Sequence, residues 1–155
     1  MPSYLDDYSF SIENFQSLLE ELYPLWRAHH NELVGGAIAL QPNVEQYIQL
    51  EKGRRLVIFT VRDKSAELVG YAFFILSQHR HRTQVIGAEN DLLFLSKLHR
   101  KGWLATKFMQ YFEKILFAGA VTQITMRTKS KASFAPVLVK GGYKQEETSY
   151  IKRKV

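Results

Sequence analysis

His99-Arg100-Lys101-Gly102-Trp103-Leu104-Ala105-Thr106 stands between two segments of different period. Upstream, Val85 to Ser96 reads as a strand whose densest apolar part is Leu92-Leu93-Phe94-Leu95. Downstream, Leu104, Phe108, Tyr111, Phe112, Ile115 and Leu116 recur at helical spacing, Lys107, Gln110 and Lys114 fall on the other face, and Gly119 closes a helix over Gly102–Ala118. The octapeptide is therefore a strand-to-helix turn. The first turn of a helix has backbone N–H groups without internal partners, and the helix dipole adds partial positive charge there, so an anion can bind on backbone alone. Gly102 permits a tight turn and close approach, Ala105 keeps the contact close, Arg100 and Lys101 add formal charge, and Thr106 offers a hydroxyl. Taken alone, such a turn is more often an ordinary connection bearing solvated charges.

Before this turn the chain reads as two helices and a hairpin. Phe15, Leu18, Leu19, Leu22, Leu25 and Trp26 form one stripe of a helix over Glu13–His30. Ser11 is its expected N-cap and Glu13 its first-turn acid, Pro24 is expected to kink or break it, and His29 and His30 complement its C-terminal charge. Pro42 opens a second helix that carries Val44, Tyr47 and Ile48 and stops at Gly53. Leu56–Val61 and Leu68–Leu76 read as hairpin strands around Asp63–Glu67, with Gly70 marking a bulge or a close backbone approach. After Gly119, a strand over Val121–Thr128, a short helix over Ser133–Lys140 and a last strand over Tyr143–Lys152 complete the order ααβββαβαβ. That order indicates a mixed-sheet α/β (α+β) domain, mostly antiparallel and flanked by helices, with one βαβ crossover.

Residues 1–155 read as a single domain, since no repeat, linker or compositional shift divides them. The absence of cysteine excludes disulfides, thiolate nucleophiles and cysteine zinc sites together. The first residues lack the basic-then-apolar pattern of a secretory signal, and no apolar run approaches the roughly 20 residues needed to span a bilayer. A cytoplasmic protein with no membrane partner is the expectation. The net charge of +6 and pI near 9.5 attract polyanions in general. Lys97, Arg100, Lys101, Lys107, Arg127, Lys129, Lys131, Lys152, Arg153 and Lys154 supply much of the excess. Nucleic-acid binding would rest on that charge alone, without an aromatic platform or recognition-helix pattern. His79 and His81 lack a third ligand at a recognisable spacing, so acceptor recognition or plain solvation suits them better than metal. No nucleophile elbow or Walker loop occurs.

The element order and the turn resemble the GNAT superfamily of acyl-coenzyme-A-dependent N-acyltransferases, whose Gln/Arg-x-x-Gly-x-Gly/Ala loop follows the fourth strand. Arg100 takes the first position and Ala105 the last, while Trp103 stands at the middle glycine, with Gly102 beside it. Phe94-Leu95-Ser96 is similar to the family's strand end, whose backbone pairs with the pantetheine arm. Lys129 to Tyr143 resembles the family's late short helix and its Gly-Phe/Tyr pair, here Gly142-Tyr143. Small bacteriophage-encoded members are the most similar, which implies the host cytoplasm as the site of action.

The resemblance implies acetyl-CoA as acyl donor, held by Phe94, Leu95, Arg100, Lys101, Gly102, Trp103, Leu104, Ala105 and Thr106. It also implies direct attack by an amine that must first lose a proton, its pKa being about 10.4. Glu89 and Asp91, expected on one strand face with Leu93 and Leu95, are the carboxylates placed to accept that proton, Glu89 first. The backbone N–H of Leu95 or its neighbour would polarise the thioester carbonyl. Leu138 stands where many members carry the tyrosine that protonates the thiolate, and Tyr143 aligns with a packing position. The implied acceptor is a primary amine, with a protein lysine or N-terminus favoured over a small molecule. The alternative is a non-catalytic module that binds acyl-CoA or a host protein. A homodimer is compatible with such a fold.

Overall fold

Alternate residues of the two central strands pack into opposite layers. Ile58 and Phe73 join one apolar cluster, while Phe59, Val61, Ala72 and Phe74 join the other, all of them buried. A sheet apolar on both faces needs helices on both, and the remaining elements supply them. The structure is a computed structural model describing residues 3–5, 7–34, 39–100, 102–128 and 134–154.

In chain order the elements are β1 (Ser3–Leu5), β2 (Tyr8–Ile12), α1 (Phe15–Val34), α2 (Val44–Lys52), β3 (Leu56–Arg62), β4 (Leu68–Gln78) and β5 (Ile86–Leu95). A 3-10 turn over Lys97–His99 follows, then α3 (Gly102–Ala118), β6 (Gln123–Thr125) and α4 (Ala135–Lys140). The six strands lie in sequence order in one sheet, antiparallel except for the β5–β6 pair, which α3 connects as a crossover. Phe15, Leu18, Leu22 and Trp26 of α1 cover one face, with Tyr47 of α2 packed beside them. Leu104, Phe108, Phe112 and Leu116 of α3 cover the other, joined by Leu138 of α4. The mixed, mostly antiparallel α/β architecture is the expected one.

Several boundaries differ from the expectation. Two N-terminal strands precede α1, and Ser11 lies in the second, its hydroxyl 3.1 Å from that of Thr60. The cap of α1 comes instead from a distant residue: Glu51 of α2 accepts the Phe15 N–H at 2.6 Å. Glu13 precedes the helix and accepts from Thr60 and Arg62. Burial pushes its pKa up, but these hydrogen bonds outweigh that and hold it below the usual carboxylate range. Helix α1 runs unbroken through Pro24, and α2 is capped by Asn43, whose side chain accepts the Gln46 N–H at 3.0 Å. Strand β6 is shorter than expected, and α4 begins at Ala135, residues 129–133 lying outside the described set. Residues 144–154 form no strand, and those after Tyr143 are exposed. Lys144-Gln145-Glu146-Glu147-Thr148-Ser149 is polar throughout, so it offers no apolar face for a sheet to bury.

Gly70 shows why one glycine is required in β4. A Cβ there would lie 2.5 Å from Leu95 Cδ2 and 2.9 Å from the Phe94 carbonyl, so β5 approaches too closely for any side chain. Gly70→Ala is expected to lower stability by roughly 1–3 kcal/mol, several degrees in melting temperature. Gly87→Ala, whose nearest new contact would be the Ser77 carbonyl at 3.8 Å, is expected to stay within about 0.5 kcal/mol of the parent. Equal melting curves for the two variants would contradict the close approach.

Candidate active site

One extra residue in β5 opens the sheet. Phe73 pairs with Leu92 but Phe74 pairs with Asn90, leaving Asp91 as the unopposed residue of a bulge. On the other edge, β5 pairs with β6 only over Gly87–Glu89 against Gln123–Thr125. Past that point the carboxamide of Asn90 replaces the backbone ladder. Its Oδ1 accepts the Arg127 N–H at 2.6 Å, and its Nδ2 donates to the Arg127 carbonyl at 3.3 Å. A buried side chain thus stands between the two backbones, so the strands part where direct pairing would otherwise continue. Ser96 donates its N–H to Val69, and successive residues of an antiparallel strand alternate their amides. The amides of Leu93 and Leu95 therefore face the parted edge.

The expected common face of Glu89, Asp91, Leu93 and Leu95 does not form. Leu93 and Leu95 pack with the α3 layer, whereas Asp91 accepts the hydroxyl of Tyr47 from α2. The bulge is the physical reason, because one inserted residue breaks the two-residue alternation. Burial, then the Asp91 carboxylate, raise the Tyr47 phenol well above its ordinary value. Glu89 lies just before the bulge and forms an ion pair with Arg127, both side chains substantially exposed. The two carboxylates are thus two residues apart at the parting point, each with a different partner.

The turn leads directly from this edge to α3. Its helix begins at Gly102, so the N–H groups of Gly102, Trp103 and Leu104 lie in the first turn, before the first intrahelical hydrogen bond of a helix that starts there. The Leu104 side chain is fully buried, leaving only its backbone for a ligand, and Ala105 is half-buried against the core. Thr106 is exposed. Trp103 places its ring edge-on to Tyr8 of β2 with centroids 6.1 Å apart, which accommodates its bulk. Lys101 lies outside the described residues.

Arg100, expected to add formal charge to the turn, is engaged within the protein. Its Nε donates to the Leu95 carbonyl at 2.7 Å, its Nη2 reaches both Glu32 oxygens at 2.9 and 2.7 Å, and its guanidinium lies over the Phe94 ring. The residue ties the turn to α1. Phe94 is also stacked on His29, whose Nδ1 is 2.9 Å from the Tyr71 hydroxyl. Helix α1 extends to Val34, so His29 is no C-terminal charge complement. Burial lowers its pKa to about 4, only partly opposed by Glu32. Beside it, Ala28, Asn31, Glu32, Phe94, Ser96 and Lys97 line a cleft of about 350 Å³. On the opposite layer Leu138 is buried, and the half-buried Tyr143 places its hydroxyl beside Glu113, short of hydrogen-bond geometry.

Sequence reading missed Asn90, Glu32, Tyr47 and the aromatic seat of His29. Tyr47 reads as part of the stripe of the second helix but not as a partner of Asp91, and Leu22, Trp26 and His29 continue one helical stripe. The partnerships of Asn90, Glu32 and Tyr47 run across long sequence separations and leave no local signal.

No protein-family model matches the chain, and no curated protein matches it by sequence. Solved structures do match. An aminoglycoside acetyltransferase from an uncultured soil metagenomic sample, crystallised with trehalose, superposes with a TM-score of 0.74 at 9% identity, covering 97% of each chain. A predicted acetyltransferase from Clostridium acetobutylicum, solved with acetyl-CoA, gives 0.72 at 10% identity over 95% of this chain and 96% of that one. The ribosomal-protein-alanine N-acetyltransferase of Brucella melitensis biovar Abortus 2308 gives 0.69 at 12% identity over 94% and 99%. The chain therefore has the fold of GNAT acetyltransferases, as its turn and element order led one to expect. Among the described residues no helix is long and apolar enough to cross a membrane.

The His29 seat makes a pH prediction. Its folded pKa of about 4 lies below the ordinary 6.5, so the unfolded chain binds the proton first as pH falls. Stability from this residue is complete above about pH 6.5 and is lost progressively toward pH 4. Allowing for partial exposure, about 1–2 kcal/mol should disappear between pH 7 and 5. Denaturant melts of His29→Gln should show a smaller loss over that interval. An unchanged pH dependence would contradict the buried neutral imidazole.

Proposed function

We propose that the protein is an acetyl-CoA-dependent N-acetyltransferase acting on a primary amine. The observation that carries this reading is the unpaired edge of β5 past Asn90, one short turn from the free first-turn amides of α3. An extended pantetheine arm can hydrogen-bond along such an edge while the pyrophosphate takes the N–H groups of Gly102 to Leu104. With Arg100 engaged by Glu32, the backbone and helix dipole do most of the anion binding. Lys101 and the Thr106 hydroxyl remain proposed additions.

The Leu95 N–H would polarise the thioester carbonyl and stabilise the oxyanion formed on attack. The amine must arrive neutral, and Glu89 or Asp91 would take its proton, directly or through water. Of these Glu89 remains the first choice; Arg127 would have to yield part of its carboxylate in the reacting complex. The tetrahedral intermediate then collapses by breaking the carbon–sulfur bond, giving the amide and the coenzyme A thiolate. With Leu138 buried in α4, that thiolate takes its proton from water. The printed acceptors of the fold neighbours range from a ribosomal-protein alanine to aminoglycosides. For this chain a protein lysine or N-terminus is the favoured acceptor. A bacteriophage source acting in the host cytoplasm, and a homodimeric state, belong to the same proposal.

Acetyl-CoA at 100 times its dissociation constant should stabilise the fold by about 2.7 kcal/mol, a melting shift of roughly 5–10 °C. Thr106→Glu, at an exposed position beside the proposed pyrophosphate, should weaken binding at least about tenfold, and Gln110→Glu, a turn further along, should matter less. Thiol release with an amine panel should fall about 100-fold or more in Glu89→Gln. Absence of any acetyl-CoA shift would sink the reading. Binding without thiol release would favour a non-catalytic module.

A further inference from the structure

The end of β5 opposite the cofactor turn carries a second, cationic feature. The loop between β4 and β5 places His79, Arg80 and His81 beside Arg55 from the turn after α2, with Arg82 Nη2 3.5 Å from His79 Nε2. Arg55, Ser77, Gln78, His79, Arg80 and His81 line an open cleft of about 620 Å³. The loop is braced from within. His79 donates its N–H to Val85 at 2.8 Å, Val85 to Arg82 at 2.9 Å, and Gln78 Nε2 to the Thr83 carbonyl at 2.7 Å. Arg55 is held against it by reciprocal bonds, its Nε donating to the Leu76 carbonyl and its own carbonyl accepting the Leu76 N–H.

No ion pair among the described residues neutralises these cations. Among the described residues the ion pairs involve Arg62, Arg100 and Arg127, and none involves Arg54, Arg55, Arg80 or Arg82. The nearest acid in sequence to Arg55, Glu51, is occupied by the Phe15 N–H. Holding several positive charges together on a braced loop costs repulsion that an anionic partner would relieve. Placement adds a second argument. Ile86, at the loop end of β5, is three residues from Glu89, about 10 Å along a strand. A chain whose amine reaches the proposed proton acceptor would therefore lay residues three or more positions away across the cationic cleft.

We infer that this cleft is the docking site for an acidic segment of a protein acceptor, with carboxylates three to six residues from the acetylated amine. The inference rests on the acetyltransferase reading for its link to turnover, but the surface itself can be tested by binding. Planar guanidinium groups suit carboxylates in bidentate pairs. The ring-to-ring contact at the cleft is between His79 and His81, with no Phe, Tyr or Trp platform of the kind single-stranded RNA uses.

The test uses fluorescein-labelled peptides with one central lysine and either Asp/Glu or Asn/Gln at the flanking positions, titrated into the full chain. The acidic peptide should bind at least tenfold tighter, and the preference should vanish in Arg80→Glu/Arg82→Glu while the acetyl-CoA thermal shift stays unchanged. Raising NaCl from 50 to 300 mM should weaken the acidic peptide alone, a readout independent of any variant. Equal affinities for the two peptides, or a preference that survives the double reversal, would overturn the inference. So would an RNA oligonucleotide that displaces the acidic peptide at lower concentration than the unlabelled peptide does. Acidic peptides that bind but are never acetylated would uphold the surface and contradict the acetyltransferase reading. Amines acetylated without acidic preference would uphold that reading and overturn this inference.

Discussion

Where β5 ceases to pair with β6, the carboxamide of Asn90 takes both the N–H and the carbonyl of Arg127. A backbone needs its polar groups satisfied when buried, and one asparagine side chain can meet that need while keeping two strands apart. The bulge at Asp91 works at the same level of the strand, tightening its twist and leaving Leu93 and Leu95 with amides turned to the opening. Every proposed functional group is arranged relative to this parting. The carboxylates of Glu89 and Asp91 flank it, the Leu95 amide faces it, and α3 begins just beyond it.

The opening would be of little use if the turn that closes it could drift. Arg100 joins the Leu95 carbonyl to Glu32 of α1, and Phe94 contacts both that guanidinium and the His29 ring. These contacts link strand end, turn and first helix into one unit, with Tyr71 beneath. A residue type expected for direct anion binding is thereby used to position the backbone proposed to bind the anion. Arg62 serves a comparable structural purpose at the other end of α1, bonding Glu13 and Glu21 at once. Such partly exposed networks contribute most through orientation, since isolated surface pairs are worth at most about 1 kcal/mol.

Local pattern and fold agreed best where elements are long. The helix over Gly102–Ala118 was legible to the residue because its stripe, its opening glycine and Gly119 all agree. The hairpin strands were legible from β-branched and aromatic runs, and Gly70 announced a close approach that the Leu95 contact explains. Tyr8–Ile12 escaped because its strand is short and ends beside a plausible cap, Ser11, which the sheet claims instead. The parting of β5 and β6 was invisible for a different reason. It depends on a bulge and on an Asn90–Arg127 pairing across 37 positions, and neither leaves a local period. Lys129 to Ser133, part of the late resemblance, lies outside the described residues.

Amide hydrogen exchange with and without acetyl-CoA tests the central claim most directly, because it reads the backbone groups on which the account depends. Slowed exchange should concentrate in residues 92–96 and 102–106, the parted edge of β5 and the first turn of α3, with little change in the first half of α1. No slowing in those two segments, or slowing centred elsewhere, would contradict an acyl-CoA site at the parting of β5 and β6.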